Sequence, residues 1–137
     1  MQVASESASP TSLAALDASI VLIVDDDPAV VEGLSELLEE EGYDVAVAKD
    51  GRDALDQLRT GLRPSVILLD LMMPRMDGWD FRHEQMKDAE LRDIPTIVIS
   101  AAGFSATSVK AQLGDIEFGP KPPDAQALLD AIKRGCG

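Results

Sequence analysis

The run Ser65–Leu69 (S-V-I-L-L) is almost wholly apolar and stops abruptly at Asp70. Pro64 precedes it, and the turn-forming stretch L-M-M-P-R-M-D-G follows. A continuous apolar run of that length, set between such breakers, reads as a strand buried on both faces. Asp70 then sits where the strand stops. In an open α/β sheet, ligands and chemistry collect at the carboxyl ends of the strands. A lone Asp after a strand is most simply a loop cap, so the case for chemistry rests on the rest of the chain.

The rest supplies the partners that such a strand needs. Met1–Ser12 is Ser/Ala-rich and reads as a disordered tail, with residues 1–18 set apart from a domain over 19–137. Leu13–Leu16 is compatible with one helical turn. Ile20–Val24 (I-V-L-I-V) is a second buried strand and also ends on acids, Asp25, Asp26 and Asp27. Pro28 suits the first helical position, with Asp27 as N-cap. The helix Ala29–Glu41 gathers Val30, Val31, Leu34, Leu37 and Leu38 on one face, and Gly42 is placed to end it. Tyr43–Ala48 alternates and reads as an edge strand. Gly51–Arg59 and Trp79–Lys87 read as helices, and Thr96–Ile99 as a short strand ending on Ser100. Ala101–Gly114 is weakly helical, Ile116–Phe118 is a fifth strand with Pro120 just beyond, and Pro123–Arg134 closes the chain as a helix. Five βα units imply one parallel sheet covered by helices on both faces.

At 137 residues this is one domain, with 45% apolar residues to fill its core. The formal charge of −13 argues against nucleic acid and against anionic lipid surfaces. The single cysteine, Cys136, fits a reducing cytoplasm. No apolar run approaches the roughly 18 residues of a membrane span, and the first residues lack the pattern of a signal peptide.

Parallel strands share one carboxyl edge. That edge receives Asp25 and Asp26, Asp70, Ser100, and Lys121 just after the fifth strand. Crowded carboxylates repel, and a hard divalent cation relieves them; Mg²⁺ takes oxygen ligands and often joins a carboxylate to a phosphoryl group. A carboxylate is also a competent nucleophile toward phosphorus. Lys121 and Ser100 suit phosphoryl oxygens, by charge and by hydrogen bond. His83, on a charged helix, reads as solvated surface, and Met72, Met73 and Met76 as loop packing rather than a soft-metal site.

The segments V-L-I-V-D-D-D-P, L-L-D-L-M-M-P-R-M-D-G, I-S-A and K-P resemble the receiver domains of two-component response regulators, from Ile20 to about Arg134. The resemblance implies a flavodoxin-like (βα)5 fold, strand order 2-1-3-4-5. It implies Asp70 as phosphoacceptor and Mg²⁺, or Mn²⁺ in its place, held by Asp25, Asp26, Asp70 and the backbone carbonyl of Met72. Ser100 matches the switch hydroxyl, Lys121 the phosphoryl-binding lysine, and Phe118 the aromatic residue that rotates on activation. A cis Lys121–Pro122 bond is implied as well. The partners implied are a histidine kinase or histidine phosphotransfer protein, and a downstream protein or second copy on the Ala101–Arg134 face. Such a module assists its own phosphorylation and dephosphorylation but is not an enzyme of turnover. The L-G-D-I-E-F run and P-K-P-P depart from the family pattern on the signalling side.

Two other readings compete. A haloacid-dehalogenase-type phosphatase would use Asp25 as nucleophile and Asp27 as acid, but the later motifs then come in the wrong order. A pseudo-receiver would keep the fold and lose part of the acidic pair, the acceptor or the lysine, all of which are present.

Overall fold

Two short, almost wholly apolar runs can be buried only if something covers both of their faces, and the chain arranges its helices to do so. A computed structural model describes residues 20–100, 106–113, 116–120 and 124–136, a few of them by backbone alone. Strands β1 (Ile20–Val24), β2 (Asp44–Ala48), β3 (Val66–Asp70), β4 (Thr96–Ser100) and β5 (Glu117–Pro120) alternate with the helices. These are α1 (Pro28–Glu40), α2 (Gly51–Arg59), α3 (Gly78–Lys87), α4 (Ala106–Leu113) and α5 (Ala125–Cys136). The strands pair in parallel in the order β2-β1-β3-β4-β5, the flavodoxin-like order.

Strand side chains alternate between faces, and the core divides accordingly. Leu22, Val24, Ile67, Leu69 and Val98 pack on one face with Ala54, Leu55 and Leu58 of α2, Phe81 of α3, and Val109 and Leu113 of α4. Val21, Ile23, Val66, Leu68, Ile97 and Ile99 pack on the other with Leu34 and Leu38 of α1 and Leu128, Leu129 and Ile132 of α5. Register agrees: Val21 sits beside Val66 and Leu22 beside Ile67. Leu38, Leu55 and Leu58 are fully buried, and truncating any one of them to Ala costs about 2–5 kcal/mol. β2 lies at the sheet edge as expected, and its residues are more exposed than those of β1 and β3.

The helix ends follow local chemistry. The Asp27 carboxylate accepts from the Ala29 N–H at 3.0 Å, so Asp27 is the N-cap and Pro28 opens α1. Gly42, at φ +94°, takes the left-handed position after the last turn. Asp77 caps α3 through the Asp80 N–H at 2.9 Å. The last helix starts at Ala125, not Pro123, because the Asp124 carboxylate accepts from the Ala127 N–H at 3.0 Å. The fifth strand also differs from expectation. It runs Glu117–Pro120 and so includes the proline. β5 is an edge strand with β4 as its one neighbour, where a missing N–H is tolerated. The expected tail, 1–18, and the turn at Leu13–Leu16 lie outside the described residues, as do 101–105 and 114 of the expected weak helix.

A polar group of side chains is buried beside the first face. Gln85, fully buried, donates through Nε2 to the Leu91 carbonyl at 3.0 Å and to Thr96 Oγ1 at 3.2 Å. Arg82 donates through Nη1 to Gln85 Oε1 at 2.9 Å and through Nε to the Leu113 carbonyl at 3.4 Å. Burial lowers the Arg82 guanidinium pKa from its ordinary value. These bonds tie α3 to β4 and to the last carbonyl of α4.

Candidate functional site

In the order β2-β1-β3, the chain leaves β1 toward one side and returns to the other, which opens a crevice beyond the carboxyl ends of β1 and β3. Asp25 follows β1 directly, and its N–H still bonds the Ala48 carbonyl of β2 at 3.0 Å. Asp70 is the last residue of β3, held in the ladder opposite Ile99. Asp25 and Asp70 are 5% and 4% exposed, whereas Asp26 is open to solvent. Oxygens of the three carboxylates all lie within 4.8 Å of one another. Asp25 Oδ1 accepts from the Asp27 N–H at 2.9 Å, and Asp70 Oδ1 from the Met72 N–H at 3.3 Å. Short turns thus aim both carboxylates at the crevice. Two buried acids and an exposed one at this spacing form an all-oxygen donor set, open on one side, that fits a small hard cation such as Mg²⁺.

Met72, next to this cluster, turns its side chain to solvent at 60% exposure. Ser100 ends β4, and its neighbour Ile99 pairs with Asp70, so the Ser100 backbone stands at the same sheet edge. Phe118 pairs with Val98, two residues back from that edge. Lys121 and Pro122, and with them the expected cis bond, lie outside the described residues. Asp27 stands outside the three-carboxylate cluster and is engaged as a helix cap. His83 is exposed, and Met73 and Met76 pack against the core, as expected, whereas Met72, expected to pack with them, is exposed because it lies at the open side of the loop; Trp79 also packs against the core.

The sequence gives less warning of what fixes the loop after Asp70. Asp50, 2% exposed, caps α2 by accepting from the Asp53 N–H at 2.8 Å. Its other oxygen accepts from Arg75 Nε at 2.7 Å and from Arg75 Nη2. Burial pushes the Asp50 carboxyl pKa up, but the Asp53 N–H, the Arg75 hydrogen bond and the Arg75 charge together hold it below 3.8. The spacing D-x-x-D at Asp50–Asp53 is a legible cap signal; the Asp53 carboxylate reaches back one residue beyond the cap, accepting from the Lys49 N–H at 3.1 Å. Gly78 closes the loop, its N–H bonding the Leu71 carbonyl at 3.0 Å. A Cβ there would stand 2.4 Å from the Asp70 carbonyl oxygen, so only glycine permits this approach.

Comparison with known proteins converges on one family. The family model described as "Response regulator receiver domain" matches residues 21–133. The chain is 34% identical over 114 residues to the DNA-binding dual master transcriptional regulator RpaA of Synechocystis, covering 82% of this chain and 47% of that protein. It is 37% identical over 114 residues to the response regulator MprA of Mycolicibacterium vanbaalenii, covering 82% and 48%. The chain thus spans about half the length of the curated relatives it matches. Among solved structures, the signal receiver domain of a signal transduction histidine kinase from Syntrophus aciditrophicus superposes with a TM-score of 0.77 at 31% identity, covering 86% of this chain and 89% of that one. A Francisella response regulator receiver domain superposes at 0.76 with 28% identity, covering 86% and 96%.

Proposed function

The chain belongs to the response regulator receiver domain family, and from that premise we propose that it is a signalling module that accepts a phosphoryl group on Asp70. The observation that carries the reading is the meeting of Asp25, Asp26 and Asp70 at the crevice between β1 and β3. A carboxylate oxygen of Asp70 attacks phosphorus, the P–N bond of a phosphohistidine donor breaks, and the electron pair stays on the departing imidazole nitrogen. Asp25, Asp26, Asp70 and the Met72 carbonyl would hold Mg²⁺, whose charge offsets the carboxylates and the incoming phosphoryl oxygens. The turn hydrogen bonds at Asp25 and Asp70 orient the acids beforehand, so little rearrangement is needed on binding.

Ser100 and Lys121 take the roles of phosphoryl hydrogen-bond donor and counter-charge, and Phe118 that of the residue that responds. The donor is a histidine kinase or histidine phosphotransfer protein. The readout surface is the Ala101–Arg134 face, toward a downstream protein or a second copy. The module acts in the cytoplasm; among the described residues no helix is long and apolar enough to cross a membrane.

The test is labelling with a small phosphodonor, with and without Mg²⁺, followed by acid and hydroxylamine treatment. The parent gains an acid-labile phosphoryl group only with Mg²⁺, and Asp70→Asn gains none. Equal labelling of Asp70→Asn would move the acceptor elsewhere.

A further inference from the structure

We propose that the Asp50–Arg75 ion pair is a latch that holds the Leu71–Asp77 loop in its cation-binding shape and thereby raises the Mg²⁺ affinity of the Asp70 site. The proposal rests on the phosphoacceptor reading and adds two positioning residues to it. Arg75, at φ +66°, is the one non-glycine among the described residues in the left-handed region. An L side chain resists that conformation, so the surroundings must impose it. Asp50 supplies the force. Its carboxylate is buried, charged and already fixed by the Asp53 N–H at 2.8 Å, so it cannot follow the loop; the loop must come to it. Arg75 meets it with Nε at 2.7 Å and with Nη2, a two-nitrogen contact that sets direction as well as distance.

A second attachment lies one residue on. The Gly51 N–H donates to the Met76 carbonyl at 2.8 Å, and a Cβ on Gly51 would stand 2.7 Å from Met76 Cγ. Residues 75 and 76 are therefore bound to the start of α2, while Leu71 and Gly78 are bound to each other. The loop is pinned at its base and near its far end, and Met72 lies in the span between. A loop already in its bound shape loses less freedom when a cation arrives, and affinity rises by that difference. Arg75 is 59% exposed and Asp50 is 2% exposed, so the anchor is the acid and the moving part is the arginine.

Mg²⁺ titration followed by the fluorescence of Trp79, the single tryptophan, tests the latch in the full chain. The variants are Asp50→Asn, Arg75→Gln, both together, and Arg75→Lys. Asparagine caps a helix as well as aspartate does, so Asp50→Asn removes the charge partner and leaves α2 capped. Long-range electrostatics alone predicts that Arg75→Gln tightens Mg²⁺ binding, because a positive charge leaves an acidic region. The latch predicts the opposite sign. Each single variant weakens Mg²⁺ binding about fivefold, the double variant is no weaker than either single, and Arg75→Lys recovers part of the loss. In the metal-free protein, amide exchange of Leu71–Asp77 quickens in both single variants. Tighter binding in Arg75→Gln, additive losses, or a lowered melting midpoint with unchanged Mg²⁺ affinity would each overturn the latch. A parent chain that binds no Mg²⁺ overturns the latch and the phosphoacceptor reading together; a parent that binds it, with variants unchanged, overturns the latch alone.

Discussion

Gly78→Ala sets two opposing effects against each other. Gly78 opens α3, where Ala gains helix propensity, by at most about 1 kcal/mol over Gly. Against that, the new Cβ would lie 2.4 Å from the Asp70 carbonyl oxygen and 2.8 Å from Leu71 Cα. Both are backbone atoms and cannot rotate away. The helix cannot retreat either, since Phe81 and Gln85 are fully buried against the sheet. Overpacking of this kind costs about 1–3 kcal/mol, and a rigid backbone collision belongs at the upper end. The net expectation is a loss of about 2 kcal/mol, or roughly 6–10 °C in melting midpoint for a domain of this size. Gly33→Ala is the control. It lies on the exposed side of α1 with nothing within 4 Å of its Cβ, so the propensity gain of about 0.5–1 kcal/mol stands alone. Urea unfolding read by far-ultraviolet circular dichroism measures both. Because the collision falls on Asp70 itself, Gly78→Ala also weakens Mg²⁺ binding, while Gly33→Ala does not. A Gly78→Ala protein as stable as the parent would refute the packing argument.

Other outcomes follow from the charges. The Asp50 carboxyl is held below its ordinary 3.8, so its contribution to stability is full above that value and drains as pH falls through the lower folded value. The stability gap between the parent and Asp50→Asn is therefore widest near neutrality and narrows below about pH 4; a gap that widens in acid contradicts this. Three carboxylates within 4.8 Å repel when no cation is bound, so Asp26→Asn stabilises the chelator-treated protein. Mg²⁺ raises the parent's stability by about 2.7 kcal/mol at a hundred times its dissociation constant, and by much less in Asp26→Asn. Thermal melts with Mg²⁺ and with chelator check both, and an Asp26→Asn protein that melts lower than the parent in chelator would count against the repulsion.

Much of this was legible because burial leaves a local trace. The apolar runs at Ile20–Val24 and Ser65–Leu69, short and set between breakers, read as doubly covered strands, and their closing acids then share one edge. Asp27 followed by Pro28 announces its own helix start. Asp50 and Arg75 lie 25 residues apart and share no periodic pattern, so their pairing emerges only when α2 and the loop meet. Arg82 and Gln85 look like solvated helix residues, and their burial follows from carbonyls that neighbouring segments leave to be satisfied. The bounds of β5 differ from those expected because an edge strand tolerates a proline that an inner strand would not.

The bond from Arg82 to the Leu113 carbonyl bears on how α4 can move. Eight residues give α4 a length of about 12 Å, and Arg82, seated in the buried group on α3, grips its far end. Val109, fully buried in the core cluster that includes Val98 of β4, seats the helix at its middle as well. Held at its middle and at its last turn, α4 is a seated rod and not a free lever, so a partner that reads this helix reads the position of β4 through it.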